Sequence, residues 1–201
     1  MKRTLALILS CIVICLSSVM CVAMAENVYS GKGDDVIELQ PFEGMCVYEI
    51  EGNKSSRYFG VIPYTEEGDR LSSLVNTTDV YKGIVFDHTQ SAALLEVKAN
   101  DAWKITVRSI DTVDSVQKGE TITGTGDSVF LFSDVNGVSK IATISGNKSS
   151  RYFGVIPYDS DGNRFSSLVN TTDVYEGNVM VKNNSRIFVV KADDKWSITF
   201  K

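Results

Sequence analysis

The sequence predicts an all-β protein, built as two tandem small antiparallel β-sandwich domains, Ig-like or jelly-roll-like, of about seven strands each. Three observations carry that expectation. Residues 50–86 align with residues 144–180 at a constant offset of 94, with 28 of the 37 positions identical, and self-similarity at a fixed period marks a repeated structural unit. Short β-branched and aromatic runs recur at intervals of roughly 8–12 residues between Gly-, Asn- and Asp-containing turns. Beyond the first 25 residues no stretch shows the 3.6-residue apolar period of an amphipathic helix.

Those first 25 residues read as an export leader. Lys2 and Arg3 precede an apolar stretch over residues 5–22, and Ala23-Met24-Ala25 offers small residues three before and one before a cut. The mature chain is expected to start at Glu26, in a secreted or extracytoplasmic bacterial protein. The alternative is a retained membrane anchor, since the stretch is about long enough to span. A lipid anchor on Cys21 is disfavoured by Val19 and Met20, where small residues would be needed.

Within the first copy, strands are expected at residues 36–39, 45–50, 57–63, 71–75, 80–86, 93–99 and 103–107. In the last of these Trp103, Ile105 and Val107 share one face and Lys104 and Thr106 the other. Glu67-Gly68, matched by Asp161-Gly162, reads as a hairpin turn, because Gly accepts positive φ without a Cβ clash. Each copy runs from a G-x-G-D start to a W-x-I-T end, giving residues 31–107 and 124–201, with residues 108–123 as a linker or extra edge strand. A unit of this size buries only about 60% of its unfolded surface, so Trp103 and Trp196 are expected as core anchors.

Charge and cysteine content bound the function. Removing Lys2 and Arg3 leaves 18 basic residues against 25 acidic ones, a net charge of about −7, which argues against a nucleic-acid partner. The leader takes Cys11, Cys15 and Cys21 with it. Cys46 then has no intramolecular disulfide partner, and it reads as a small buried apolar residue.

The spaced pattern G-x-G-D, G-N-x-x-x-x-F, L-V-N-T with Y-x-G, and A-x-x-x-W-x-I runs through both copies. It is carried by Gly33-Asp34, Gly52-Asn53 with Phe59, Leu74 to Thr77, Tyr81 with Gly83, and Ala99 with Trp103. The second set is Gly126-Asp127, Gly146-Asn147 with Phe153, Leu168 to Thr171, Tyr175 with Gly177, and Ala192 with Trp196. This pattern resembles the small tandem β-sandwich repeats of exported Gram-positive bacterial proteins. The resemblance implies the fold and no functional residue.

Proton-transfer chemistry is thinly provided. His88, the one His, aligns with Lys182, so a His-based site cannot be common to both copies. The repeated carboxylates Asp34/Asp127, Asp79/Asp173 and Asp101/Asp194 fall at turn-like positions, where Asp caps local backbone. Asp159-Ser160-Asp161-Gly162 lacks the sixth-place Gly and closing acid of a twelve-residue calcium loop. The N-x-S/T triplets are read as turn residues. No catalytic residue, metal or cofactor is therefore assigned.

The expected function is an exported, non-catalytic binding or adhesion module for polysaccharide, wall glycan or a host surface protein. The candidate contact residues are Asn53, Arg57 and Tyr58, with Asn147, Arg151 and Tyr152. They lie in the blocks that changed least between copies, and Arg and Tyr offer a planar donor fork and a low-entropy stacking surface. A structural spacer and a glycan hydrolase are the alternatives. No stable membrane insertion is expected after leader cleavage, and the sequence sets no oligomeric state.

Overall fold

The computed structural model describes residues 26–134 and 141–201, and the expected leader lies outside the described residues. The first eight strands are β1 (Asn27–Lys32), β2 (Asp35–Glu38), β3 (Cys46–Gly52), β4 (Phe59–Tyr64), β5 (Val75–Thr77), β6 (Tyr81–Val85), β7 (Leu94–Lys98) and β8 (Ala102–Ser109). A 3-10 turn at Ile110–Thr112 and a short β9 (Ser115–Val116) follow. Then come β10 (Thr121–Thr125), β11 (Ser128–Phe132), β12 (Ile141–Gly146), β13 (Phe153–Tyr158), β14 (Val169–Thr171), β15 (Tyr175–Met180), β16 (Ile187–Lys191) and β17 (Lys195–Phe200).

The all-β class is as expected, and the sheet orders choose between the two sandwich types. One pair of sheets runs β1-β8-β3-β6 and β2-β7-β4-β5. The other runs β10-β17-β12-β15 and β14-β13-β16-β11-β9. In each set the first strand pairs with the eighth, the second with the seventh, the third with the sixth and the fourth with the fifth. That is one long antiparallel hairpin rolled over itself, the jelly-roll arrangement.

Among the described residues each roll has eight strands, where about seven were expected. The unforeseen one in the first half is β1, where Asn27–Lys32 carries only Val28 and Tyr29 as large apolar residues, pointing to opposite faces. Its pairing partner β8 decides it, with Tyr29 opposite Ile105 and Gly31 opposite Trp103. The strand expected at residues 71–75 is instead Val75–Thr77. Residues 71 and 74 run beside β4 through single bonds, from Leu71 N–H to Pro63 O at 2.9 Å and from Leu74 N–H to Val61 O at 2.9 Å.

The repeated motifs are instructions for the backbone. A Cβ on Gly31 would lie 2.4 Å from the Trp103 ring, and one on Gly124 2.2 Å from the Trp196 ring. Each indole N–H donates to the carbonyl of the next glycine of the motif, Gly33 or Gly126, at 3.0 Å. Asp34 and Asp127 then accept the N–H of Ala99 and Ala192 at 2.9 and 3.0 Å. The G-x-G-D and A-x-x-x-W segments thus clamp the two ends of each roll together. Gly52 and Gly146 make the same allowance for the rings of Phe59 and Phe153.

Among the described residues, three apolar clusters hold the sheets together. The first joins the sheets of β1–β8 around Ile50, Phe59, Leu95, Trp103 and Ile105. The second joins the sheets of β10–β17 around Phe132, Phe153, Phe188, Trp196 and Phe200. The third spans the seam, with Val47, Phe86, Ile110 and Val113 from one side and Val129, Tyr158, Ile187 and Val189 from the other. Phe86 meets Tyr158 edge-on at 5.4 Å between ring centroids. The segment after β8 is part of this packing, since Ile110, Val113 and Val116 are buried and β9 pairs with β11 in parallel.

Candidate binding site

The six residues expected to touch a ligand occupy three different settings. Asn53 and Asn147 are buried and face inward. Both take a left-handed backbone, at φ 63° and 64°, which Asn tolerates better than most residues. Asn53 Nδ2 donates to Asp79 O at 2.8 Å while its Oδ1 accepts Arg57 N–H at 3.0 Å. Asn147 repeats this with Asp173 O at 2.9 Å and Arg151 N–H at 3.0 Å. These side chains are fully committed to holding two loops together.

Arg151 and Tyr152 lie at the seam. Arg151 Nη1 reaches Asp79 Oδ2 at 2.7 Å, and Tyr152 lines the groove between the halves together with Asp79, Tyr81 and Asp193. Both members of the ion pair are more than half exposed, so its stabilising value is at most about 1 kcal/mol. Arg57 and Tyr58 are both exposed. Tyr58 folds over Gly60, where a Cβ would fall 2.7 Å from its hydroxyl oxygen.

A concavity of about 550 Å³ lies elsewhere, at the mouth of the first roll. Its floor is Leu39, Phe42, Tyr48 and Leu94, and its rim carries Glu38 and Glu66. The volume falls within the usual range for small-molecule sites, and an apolar floor under a few polar groups is their usual chemistry. Hydrogen bonds among the lining residues and just behind them brace the walls. Tyr29 OH accepts Gln40 N–H at 2.8 Å, and Leu39 N–H donates to Ala93 O at 2.8 Å. Gln90, at φ 51°, grips Cys46 through both backbone groups, accepting from N–H at 2.8 Å and donating to O at 3.3 Å. Asp87 in turn accepts Thr89 N–H at 3.0 Å and the Thr89 hydroxyl at 2.7 Å.

The two rolls differ at this place. The counterparts of Leu39 and Val107 are Phe132 and Phe200, which pack on each other at 4.8 Å and are fully buried. Phe200 also meets Phe188 at 5.1 Å. Aromatic rings therefore fill in the second half what smaller side chains leave open in the first. These positions escaped the sequence reading because it sought residues common to both copies. The signal that could have found them is the replacement of Leu39 and Val107 by Phe in the second copy.

Cys46 lies at the back of the cavity wall. Burial raises its thiol above the ordinary value, outweighing a hydrogen bond with Tyr48 that lowers it. A buried neutral thiol reacts slowly, because the thiolate is the nucleophile. Iodoacetamide at mildly alkaline pH should therefore modify Cys46 at least about tenfold more slowly in the native chain than in urea, followed by mass mapping of its peptide. Equal rates would place the thiol in contact with solvent.

No family model matches this sequence, and no curated protein does. Among solved structures, the chain is similar to a regulatory subunit of a cAMP-independent protein kinase A from Trypanosoma cruzi bound to guanosine. That likeness has a TM-score of 0.24 and 10% identity over 88% of this chain and 72% of the other. The Trypanosoma brucei regulatory subunit gives a TM-score of 0.25 and 11% identity over 88% and 74%. Likenesses this weak leave the reading to the geometry above.

Proposed function

We propose that this protein is an exported, non-catalytic binding module whose ligand enters the mouth of the first jelly roll. The supporting observation is the braced cavity of about 550 Å³ with an aromatic and aliphatic floor and a carboxylate rim. Phe42, half-buried beside Leu39 and Leu94, offers a face for the apolar side of a sugar ring. Glu38, Gln40 and Glu66 offer acceptors for hydroxyl or amino groups. A rim with two carboxylates repels anionic ligands, so neutral or amino-substituted glycan, of a polysaccharide or cell wall, is the class favoured. The cavity takes over the role that the sequence suggested for Arg57 and Tyr58.

The test is a panel of neutral, amino-substituted and sulfated glycans, read with wild type, Phe42→Ala and the double variant Arg57→Ala/Arg151→Ala. Phe42→Ala should weaken binding about tenfold or more, and the arginine variant should leave it unchanged. The reverse pattern would return the site to the arginines. Absence of binding to every glycan, wall preparation and host surface protein would favour a spacer role, and turnover of a polysaccharide would make the protein a hydrolase.

A further inference from the structure

The seam between the two rolls is a head-to-tail contact, in which one face of the first roll meets a different face of the second. Because the rolls are copies, each also carries the face that the other uses. The second roll keeps an unused copy of the β6 face on β15, and the first keeps an unused copy of the β11 face on β2.

The polar groups at both free faces are those of the seam. Within the seam, Tyr81 OH donates to Asp127 Oδ2 at 2.8 Å, and Lys191 reaches the same oxygen at 2.9 Å. Tyr175 holds the pose of Tyr81, each with its ring 6.4 Å from the preceding Phe and its hydroxyl over a glycine. Its hydroxyl has no partner among the described residues. Asp34 holds the pose of Asp127, with one oxygen on Ala99 N–H and the other facing Lys98 at 3.8 Å. Its side chain is 64% exposed where that of Asp127 is 14%. Asp79 pairs with Arg151 at the seam, and the matching Asp173 and Arg57 are both exposed.

Apolar groups tell the same story. Val36 is 64% exposed, whereas its counterpart Val129 in the third cluster is 2% exposed. Met180 is 83% exposed, whereas its counterpart Phe86 is 8%. Strand β6 is a sheet edge whose Ile84 N–H is taken by Asp127 O at 3.0 Å. The equivalent edge, β15, lies at the end of its sheet with no strand paired to its outer side among the described residues, which is a template for a further chain.

We infer that a second copy of this chain docks on β15 through its β2 face, repeating the internal seam, with Asp173 on Arg57, Tyr175 on Asp34 and Met180 beside Val36. Such a contact is heterologous, so each added copy leaves a fresh face and assembly proceeds to an open filament or a ring. It is weaker than the seam. Glu38 and Glu96 stand where the seam has Leu131 and Val189, although Glu96 is already met by Lys98 at 2.9 Å and by Tyr64 OH at 2.9 Å. The assembly is separate from ligand binding at each cavity.

The test is sedimentation of the full chain over the micromolar-to-millimolar range. The average mass should climb with concentration past that of a dimer or close at a ring. Arg57→Glu and Asp173→Arg should each weaken association about tenfold or more, by placing like charges together. Mixing the two variants should restore it, since each then meets an opposite charge. Met180→Lys should block association while leaving the unfolding midpoint unchanged. A single monomeric species at every concentration overturns the inference. So does a closed dimer indifferent to both charge reversals, or a mixture that associates no better than its components. Glycan binding by a purely monomeric chain would sink the filament and leave the cavity reading standing.

Discussion

Trp196→Ala should lower folding stability by about 3–5 kcal/mol, the range for deleting a large buried aromatic side chain, and Trp103→Ala should do the same in the first roll. Each indole fills the space above a glycine and ties β17 or β8 to the turn that follows β10 or β1, through its N–H bond to Gly126 or Gly33. Urea unfolding followed by far-ultraviolet circular dichroism measures the loss. The sharper expectation concerns the glycine beneath. Gly124→Ala should cost about 1–3 kcal/mol, because the new methyl overlaps the ring and packed cores resist extra volume. In the Trp196→Ala background the same substitution should cost almost nothing, since the atom it would strike is gone. The two sites touch, so such non-additivity is the physical signature of their contact. Additive losses would show instead that Gly124 is required for its backbone, and its φ gives no reason for that.

The second large effect is expected at Asn147, and equally at Asn53. Asn147→Ala removes the acceptor for Arg151 N–H and the donor to Asp173 O. It also leaves a residue with a Cβ at φ 64° without the local bonding that Asn supplies. Unpaired backbone groups cost about 1–3 kcal/mol each when water cannot replace the partner. Partial exposure of the two loops lowers that, giving about 2–4 kcal/mol in all. Asn147→Gly should recover the part owed to φ and no more, because the hydrogen bonds stay broken. A residue that served only a ligand would behave differently, losing binding in Asn147→Ala with the unfolding midpoint unmoved.

These two cases show why the copies agree where they do. The blocks with the fewest differences contain polar residues, and polarity beside identity invites a functional reading. Asn53, however, is polar because a left-handed turn with two inward hydrogen bonds requires it. Gly31, Asp34 and Trp103 are shared with Gly124, Asp127 and Trp196 because each side chain needs the others' geometry. Identity between the copies thus traces the shared fold. The candidate ligand cavity sits among positions that differ, where Leu39 and Val107 leave open the volume that Phe132 and Phe200 occupy.

The all-strand class, the repeat and most strand positions were legible because they rest on local information. Alternation, turn glycines and β-branched runs act within a few residues of chain. β1 was not legible, since its alternation is weak and its stability comes from pairing with a strand some 75 residues away in sequence.

From residues alone came a duplicated, helix-poor chain with turns at Gly68 and Gly162 and a tryptophan anchoring each copy. Only the tertiary structure decided the jelly-roll order, the third cluster that fuses the rolls, and which of two equivalent arginines faces a neighbour and which faces solvent. The reason is that sequence pattern records what each residue wants nearby. The seam is set by which copy comes first in the chain, a fact of connectivity that gives Arg57 and Arg151 the same local surroundings and different partners.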